Sequence, residues 1–431
     1  MPRDTTASVF LDYGKHGLAL NIEGLNATIL RPQFVPGLPD EHQAFLDAVR
    51  RPIAAPPLRE LISATETVAI VIPDITRALP GDRLYPWILQ ELGHVPKDQI
   101  TFVVGTGTHR ANTADEIAAM TGSEVAHNYR FVNHDARDPT TLQFAGRSPY
   151  GYDVYFNADF VQADRRILVG FVEPHFMAGF SGGYKAVFPG IADLEAILHY
   201  HSFSHIAHPK STWGILEGNP TQGQVRAGGR LLPVDFLINI TLNTDRSITG
   251  YFCGDVERAH TLACRFSRDL AMAKVDAPFP IVVTTNSGYP LDLNLYQTVK
   301  GMTAAHAITR PGGLIVTAAR CNDGFPDHGA FKHQLLQGLA PNQAWDTLRL
   351  RSHCEPDQWQ TQKLLQIQRM CRVQLYSDLD PELVKHAHID PITDVRAAID
   401  CELSHLGHPA APVAILPEGP LTIPYVRDAS G

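Results

Sequence analysis

Short apolar runs rich in β-branched residues recur along the chain at strand length: Val68-Ala69-Ile70-Val71-Ile72, Ile100-Thr101-Phe102-Val103-Val104, Ile167-Leu168-Val169-Gly170-Phe171, Ile281-Val282-Val283, Leu314-Ile315-Val316 and Val413-Ala414-Ile415-Leu416. Runs that are apolar at nearly every position suit strands covered on both faces, because a strand with one wet face alternates. Between them, stretches 83–92, 114–120 and 294–300 place apolar residues at helical spacing. Strands alternating with helices predict an α/β architecture with mostly parallel sheets, in which ligands meet the loops leaving the carboxyl ends of strands.

Asp276-Ala277-Pro278 precedes a fresh strand and marks a boundary. The organisation expected is an N-terminal α/β domain over 1–274 and a C-terminal α/β domain over 275–408, with the active site in the cleft between them. Segment 393–406 reads as a helix, and Gly407-His408-Pro409 leads into a last strand at Val413. Residues 409–431 therefore form a terminal segment for which a return to the first domain is one option.

The 431 residues carry 36 Lys and Arg against 45 Asp and Glu, a net charge of -9. That balance argues against a general polyanion binder, since phosphate backbones are held by clustered cations. The start, Met1 to Thr6, lacks the apolar core of a signal peptide, and the longest greasy stretch, 231–242, is broken by Pro233, Asp235 and Asn239. A soluble cytoplasmic protein is expected. Six cysteines without a Cys-x-x-Cys pair predict reduced, structural thiols. Twenty histidines, several beside Gly, Asp or Pro in loop-like stretches, make imidazole the expected chemical agent.

Three strand ends deliver polar residues. After Ile72 comes Pro73-Asp74-Ile75-Thr76-Arg77, after Val104 comes Gly105-Thr106-Gly107-Thr108-His109-Arg110, and after Val172 comes Glu173-Pro174-His175, leading to Gly179-Phe180-Ser181-Gly182-Gly183-Tyr184-Lys185. The last is a Gly-rich loop ending in lysine, able to approach a phosphate with its amides, but it lacks the Walker A spacing. Arg77 has the planar fork that matches a carboxylate, and Lys300, one turn beyond Tyr296 and Gln297, could join it. His109 beside Arg110 is expected to stay a neutral base. In Asn133-His134-Asp135 the neighbouring side chains point apart, which favours a structural role. His175, His199 and His201 offer imidazoles near the Gly-rich loop, yet no complete metal-ligand motif is present.

The ordered set of these pieces resembles the nickel-pincer lactate racemase family: Asp74-x-Thr76-Arg77-x-x-Pro80, Gly105-Thr106-Gly107-x-His109-Arg110, Asn133-His134-Asp135, Pro174-His175, Gly179-Phe180-Ser181-Gly182-Gly183-x-Lys185, Pro189-Gly190, His199 and His201, Tyr296-Gln297-x-x-Lys300, and Asp357-Gln358-Trp359-Gln360. The resemblance implies a racemase or epimerase of 2-hydroxy acids, an isomerase working by hydride transfer. Its cofactor would be a nickel-pincer nucleotide, pyridinium-3,5-bisthiocarboxylic acid mononucleotide nickel, tethered through a thioamide to Lys185. Two sulfurs, a ring carbon and His201 would hold the nickel. His109 and His175 match the pair of catalytic bases. Arg77 and Lys300 match the carboxylate holders, with Tyr296, Gln297 and Trp359 near the substrate. Asp74, Thr76, Ser181, Gly182 and Gly183 fall at the cofactor. The implied partners are a small 2-hydroxy acid and the proteins that make the cofactor, with no nucleic acid and no membrane. The motifs address only the carboxylate and carbinol ends of a substrate, which leaves Tyr184 and segments 286–290 and 320–324 for its tail. Two readings from the residues alone stand beside this one: a metal-dependent hydrolase using His109, His175 and His201, and a nucleotide-binding protein whose Gly-rich loop holds a phosphate without turnover.

Overall fold

A computed structural model describes residues 7–77, 79–325 and 329–427. The start at Met1 to Thr6, on which the signal-peptide expectation rests, lies outside the described residues, as does Ala78 of the Asp74 loop. The chain divides into two compact units: residues 34–200 with 210–270, and residues 1–33 with 201–209 and 271–431.

The first unit is built on a six-stranded sheet in the order Ile248–Gly254, Phe236–Leu242, Arg165–Phe171, Val68–Pro73, Ile100–Gly105, Arg130–Asn133. All neighbours are parallel except the edge strand Ile248–Gly254, which runs antiparallel. The expected two-sided burial is realised residue by residue. Val68, Ile70 and Ile72 enter one core cluster with Ile100, Phe102 and Val104, while Ala69 and Val71 enter the cluster on the opposite face with Val103 and Leu168. Successive strand side chains point to opposite faces, so an unbroken apolar run feeds two cores at once. Helices Gly81–Glu91 and Ala114–Thr121 connect the strands. The second starts at a capping box, in which the Thr113 side chain accepts from the Glu116 amide and Glu116 reaches back to the Thr113 amide.

The second unit carries its own six-stranded sheet, parallel throughout, in the order Asp390–Ile392, Arg372–Tyr376, Thr309–Ala318, Phe279–Thr285, Pro412–Leu416, Asn26–Ile29. Here too alternate residues part: Val282 and Ile315 face one core, Ile281, Val283, Leu314 and Val316 the other.

The units do not follow the expected domains throughout. The strand Pro412–Leu416 pairs with Phe279–Thr285, and Ile423–Val426 pairs with Met272–Val275, so the terminal segment stays with the second half of the chain. Residues 1–33 also belong to that unit, Asn26–Ile29 forming its sheet edge beside Pro412–Leu416, and so do residues 201–209. A short N-terminal strand finds its partner by register and edge availability, which a reading along the chain does not expose. Among the described residues, no helix is long and apolar enough to cross a membrane.

Candidate active site

In the first sheet the strand order reverses between Val68–Pro73 and Arg165–Phe171: later strands extend one way from Val68–Pro73 to Ile100–Gly105 and Arg130–Asn133, then the other way. Such a reversal opens a crevice at the carboxyl ends of the strands. The three loops singled out above leave the carboxyl ends of these central strands.

Asp74 follows the first strand and is 4% exposed. Its Oδ1 accepts from the Thr76 hydroxyl at 2.6 Å and the Thr76 amide at 3.1 Å, a local turn that fixes the carboxylate. Its Oδ2 lies 2.6 Å from His109 Nδ1 on the neighbouring loop. Burial opposes the charged form of Asp74, but the hydrogen bond and charge of His109, the Thr76 hydroxyl and the Arg77 charge outweigh it and hold the carboxyl below its ordinary value. An ionised carboxylate can only accept, so the proton facing it sits on His109 Nδ1, and in the neutral form of the ring the lone pair is the one on Nε2. The His109 side chain is half exposed while Asp74 is not.

His175 stands on the Pro174–His175 bridge, paired with Gly179–Phe180. Its Nδ1 lies 3.2 Å from the amides of Met177 and Ala178 and accepts from them, which puts the ring proton on Nε2. The two histidines are therefore hydrogen-bonded in opposite senses. Arg77 and Glu173 approach to 4.0 Å with half-exposed side chains, a contact at the limit of an ion pair.

The Gly-rich loop turns through three positive-φ glycines, Gly179 at 81°, Gly182 at 79° and Gly183 at 56°, a region that glycine enters without a Cβ penalty. The Ser181 hydroxyl donates to the Phe171 carbonyl at 3.0 Å and accepts from the Glu173 amide at 2.9 Å, closing the loop onto its strand. Lys185 then falls in the single turn Gly183–Ala186, its amide donating to Gly182 O at 3.1 Å. Two buried side chains from elsewhere hold the turn. Asn239, in the strand Phe236–Leu242, accepts from the Gly183 amide at 2.9 Å, and His260, in the helix Val256–Ala271, donates from Nε2 to Ser181 O at 2.8 Å. Neither was singled out as a site residue in the sequence. The available signals were an asparagine inside an apolar strand run and a histidine on the apolar stripe Val256, Ala259, His260, Ala263.

In the second unit, Tyr296, Gln297 and Lys300 lie on the helix Leu295–His306, which Asn294 caps by accepting from the Gln297 amide at 3.0 Å. Tyr296 and Lys300 share a helix face at i and i+4. Trp359, in the helix Gln358–Gln368, donates from Nε1 to the Tyr296 hydroxyl at 3.2 Å, and Gln360 donates to the Tyr296 carbonyl. The Trp359 ring stacks on His201, centroids 4.0 Å apart at 24°. Gln362 donates to Phe203 O at 2.9 Å, so the same helix touches segment 201–209 at His201 and at Phe203. Stacking engages the face of the His201 ring, whereas a metal bond uses an in-plane nitrogen lone pair, so the two are compatible.

Other expectations are redirected. The Arg110 guanidinium is bound by Glu116 at 2.6 and 2.8 Å, so the cation expected to act on His109 is committed elsewhere, and Asp74 is the group that sets the ring. Asp74 and Thr76 spend their hydrogen bonds on each other and on His109. His199 stacks on Tyr152 at 4.7 Å and 2°. His134 is 2% exposed and donates to Ala192 O at 2.9 Å, the structural role expected of it. Among the described residues, no group of three His, Cys, Asp or Glu side chains gathers to hold a metal ion.

Burial pushes the His134, His260 and His306 rings down to about 4. The unfolded chain binds these protons near 6.5 and the folded one only near 4, so the stability they lend is whole above pH 6.5 and is withdrawn as pH falls toward 4. The denaturation midpoint is expected to be flat above about pH 7 and to drop between about 6.5 and 4. A midpoint that rises over that window would contradict buried neutral rings.

Residues 13–214 match the lactate racemase N-terminal domain family and residues 274–423 the lactate racemase C-terminal domain family. A lactate racemase of Lactiplantibacillus plantarum is 36% identical over 386 residues, 88% of this chain and 90% of that one. A lactate racemase of Thermoanaerobacterium thermosaccharolyticum is 32% identical over 422 residues, 96% of this chain and 98% of that one. The solved structure of the lactate racemase apoprotein from Thermoanaerobacterium thermosaccharolyticum superposes with a TM-score of 0.91 at 32% identity, covering 98% of this chain and 100% of that one. A Thermotoga maritima protein of 17% identity, TM-score 0.69, shares the fold. With both family domains matched in order and these relatives spanning most of its length, the chain belongs to the lactate racemase family.

Proposed function

We propose that this protein is a racemase or epimerase of a small 2-hydroxy acid, working by reversible hydride transfer with a nickel-pincer nucleotide tethered at Lys185. The observation that carries the reading is the opposite hydrogen bonding of its two candidate bases: His109 with Nδ1–H given to Asp74, His175 with Nδ1 accepting two amides. Inverting a carbinol carbon requires one group to take the hydroxyl proton and another to return one, and these two rings present an acceptor and a donor edge.

The residues fit the implied cofactor. A lysine stands on a glycine turn at a strand reversal, where nucleotides are bound in open α/β sheets. A single imidazole, His201, is clamped by an aromatic face, and a cofactor that brings sulfur and carbon donors needs no further protein ligand. When bound, the nickel nucleotide supplies an acceptor for the carbinol hydrogen with its electron pair, chemistry that no side chain of the chain provides.

The chain's own residues do the rest. Arg77 and Lys300 hold the substrate carboxylate, the first through its planar fork and the second as a point charge. His109 Nε2 takes the hydroxyl proton, and Asp74 stabilises the imidazolium that results. His175 offers its Nε2–H to the oxygen when the hydrogen returns. Tyr296, Gln297 and Trp359 orient the substrate, while Ser181, Gly182 and Gly183 shape the turn that carries the tether. Supply of the cofactor falls to its biosynthesis proteins.

Arg77→Ala is expected to raise KM about tenfold or more with a smaller fall in kcat, from loss of a charge-assisted hydrogen bond worth about 1.5–3 kcal/mol. The reading itself is tested by chiral chromatography of D- and L-2-hydroxy acids incubated with protein coexpressed with the cofactor-making enzymes. Conversion of either enantiomer to a 1:1 mixture supports it. No conversion of any acid in the panel, with a known racemase active alongside, would refute it.

A further inference from the structure

Lys185 can act as a tether only if the turn beneath it holds one shape, yet that turn is a single helical turn entered through two glycines. A glycine pair loses more backbone entropy on ordering than any other, so an unsupported Gly182-Gly183 step would sample many conformations. Local bonds supply part of the order through Ser181. The remainder comes from two side chains distant in sequence.

We propose that Asn239 and His260 are positioning residues for the tether, a polar clamp that fixes the Ser181–Lys185 turn and thereby the approach of the Lys185 amine. The proposal rests on the reading of Lys185 given above. Asn239 is 1% exposed and His260 4% exposed, so each polar group was taken out of water and needs a partner. Asn239 spends its Oδ1 on the Gly183 amide at 2.9 Å, and His260 spends its Nε2–H on Ser181 O at 2.8 Å. Steric contact repeats the same choice. A Cβ on Gly182 would stand 2.7 Å from Val172 Cγ2 and 2.8 Å from Asn239 Oδ1, and one on Gly183 would stand 2.7 Å from His260 Cγ. The turn is therefore packed against both side chains as well as bonded to them, which explains glycine at two adjacent positions. Burial keeps the His260 ring neutral, and the bond to a carbonyl oxygen requires its proton on Nε2. Cys264, one turn further along the same helix, lies 3.3 Å from that nitrogen and backs the ring.

The test uses full-length protein coexpressed with the cofactor pathway, read by intact mass and nickel per chain. Asn239→Leu and His260→Leu keep volume and lose the bond, and are expected to lower the tethered fraction about 10- to 100-fold, the usual cost of losing a group that orients a functional residue. Asn239→Asp keeps an acceptor oxygen and His260→Gln keeps an N–H at similar reach, so both are expected to restore most of it. Wild-type tethering in folded leucine variants would overturn the clamp, as would glutamine and aspartate variants no better than leucine. A second arm needs no cofactor and no mutation: hydrogen exchange at the Gly183 amide of the wild-type apoprotein. Protection comparable to the Phe236–Leu242 strand supports the clamp, and exchange at the rate of an open loop overturns it. Because this arm is independent of loading, a wild-type protein that takes up neither nickel nor adduct would refute the proposed function while the clamp is still decided.

Discussion

His109→Ala is expected to cut turnover about 10²-fold or more, with little change in KM, because it removes the group that takes the hydroxyl proton and leaves substrate binding in place. Asp74→Asn is the sharper variant. An asparagine can turn its amide nitrogen toward His109 Nδ1 and donate to it, which moves the ring proton to Nε2 and blocks the lone pair that the reaction needs. A carboxylate-to-amide change behind a catalytic imidazole costs about 10²- to 10⁴-fold where the wrong tautomer results. The two variants are expected to be non-additive, since Asp74 acts through His109. Single-turnover kinetics of both variants and their combination check this. A double variant that loses the product of the two single losses would mean that Asp74 works independently, for instance on the cofactor, as the family motif implied.

The second large effect concerns His201. His201→Ala is expected to abolish nickel retention, since it removes the protein's one proposed bond to the metal. Trp359 supports that imidazole by stacking at 4.0 Å and is itself fixed by its bond to the Tyr296 hydroxyl. Trp359→Ala is therefore expected to weaken nickel retention about 10- to 100-fold, while Trp359→Phe keeps an aromatic face and most of the retention. Nickel per chain after dialysis against a chelator measures this series. Equal retention in wild type and His201→Ala would remove His201 from the metal.

Much of the architecture was legible because it rests on local pattern. Apolar runs such as 68–72 suit strands with two covered faces, and the structure divides their residues between two cores. The place of three polar loops was legible for the same reason, since a run that ends in Asp74, in Gly105-Thr106-Gly107 or in Glu173-Pro174-His175 marks a carboxyl end. What pattern could not disclose is pairing across the chain. The Asp74–His109 bond spans 35 positions, the Gly183–Asn239 bond 56 and the Ser181–His260 bond 79. Each depends on which strands become neighbours and on which way one side chain turns. Adjacency in sequence misled in the opposite direction: Arg110 stands next to His109 yet turns to Glu116. The membership of 1–33 and 201–209 in the second unit was hidden likewise, because segment 201–209 is recruited by Trp359 and Gln362 from a helix far along the chain.

The central claim, a nickel nucleotide carried on Lys185, is tested most directly by intact mass and nickel content of the wild-type protein and of Lys185→Ala, each coexpressed with the cofactor-making enzymes. The account predicts a wild-type mass above that of the sequence with about one nickel per chain, and a bare sequence mass for the variant. An adduct of equal mass on both proteins would contradict the tether, and a bare wild-type chain, with cofactor production verified on a known racemase, would contradict the cofactor altogether.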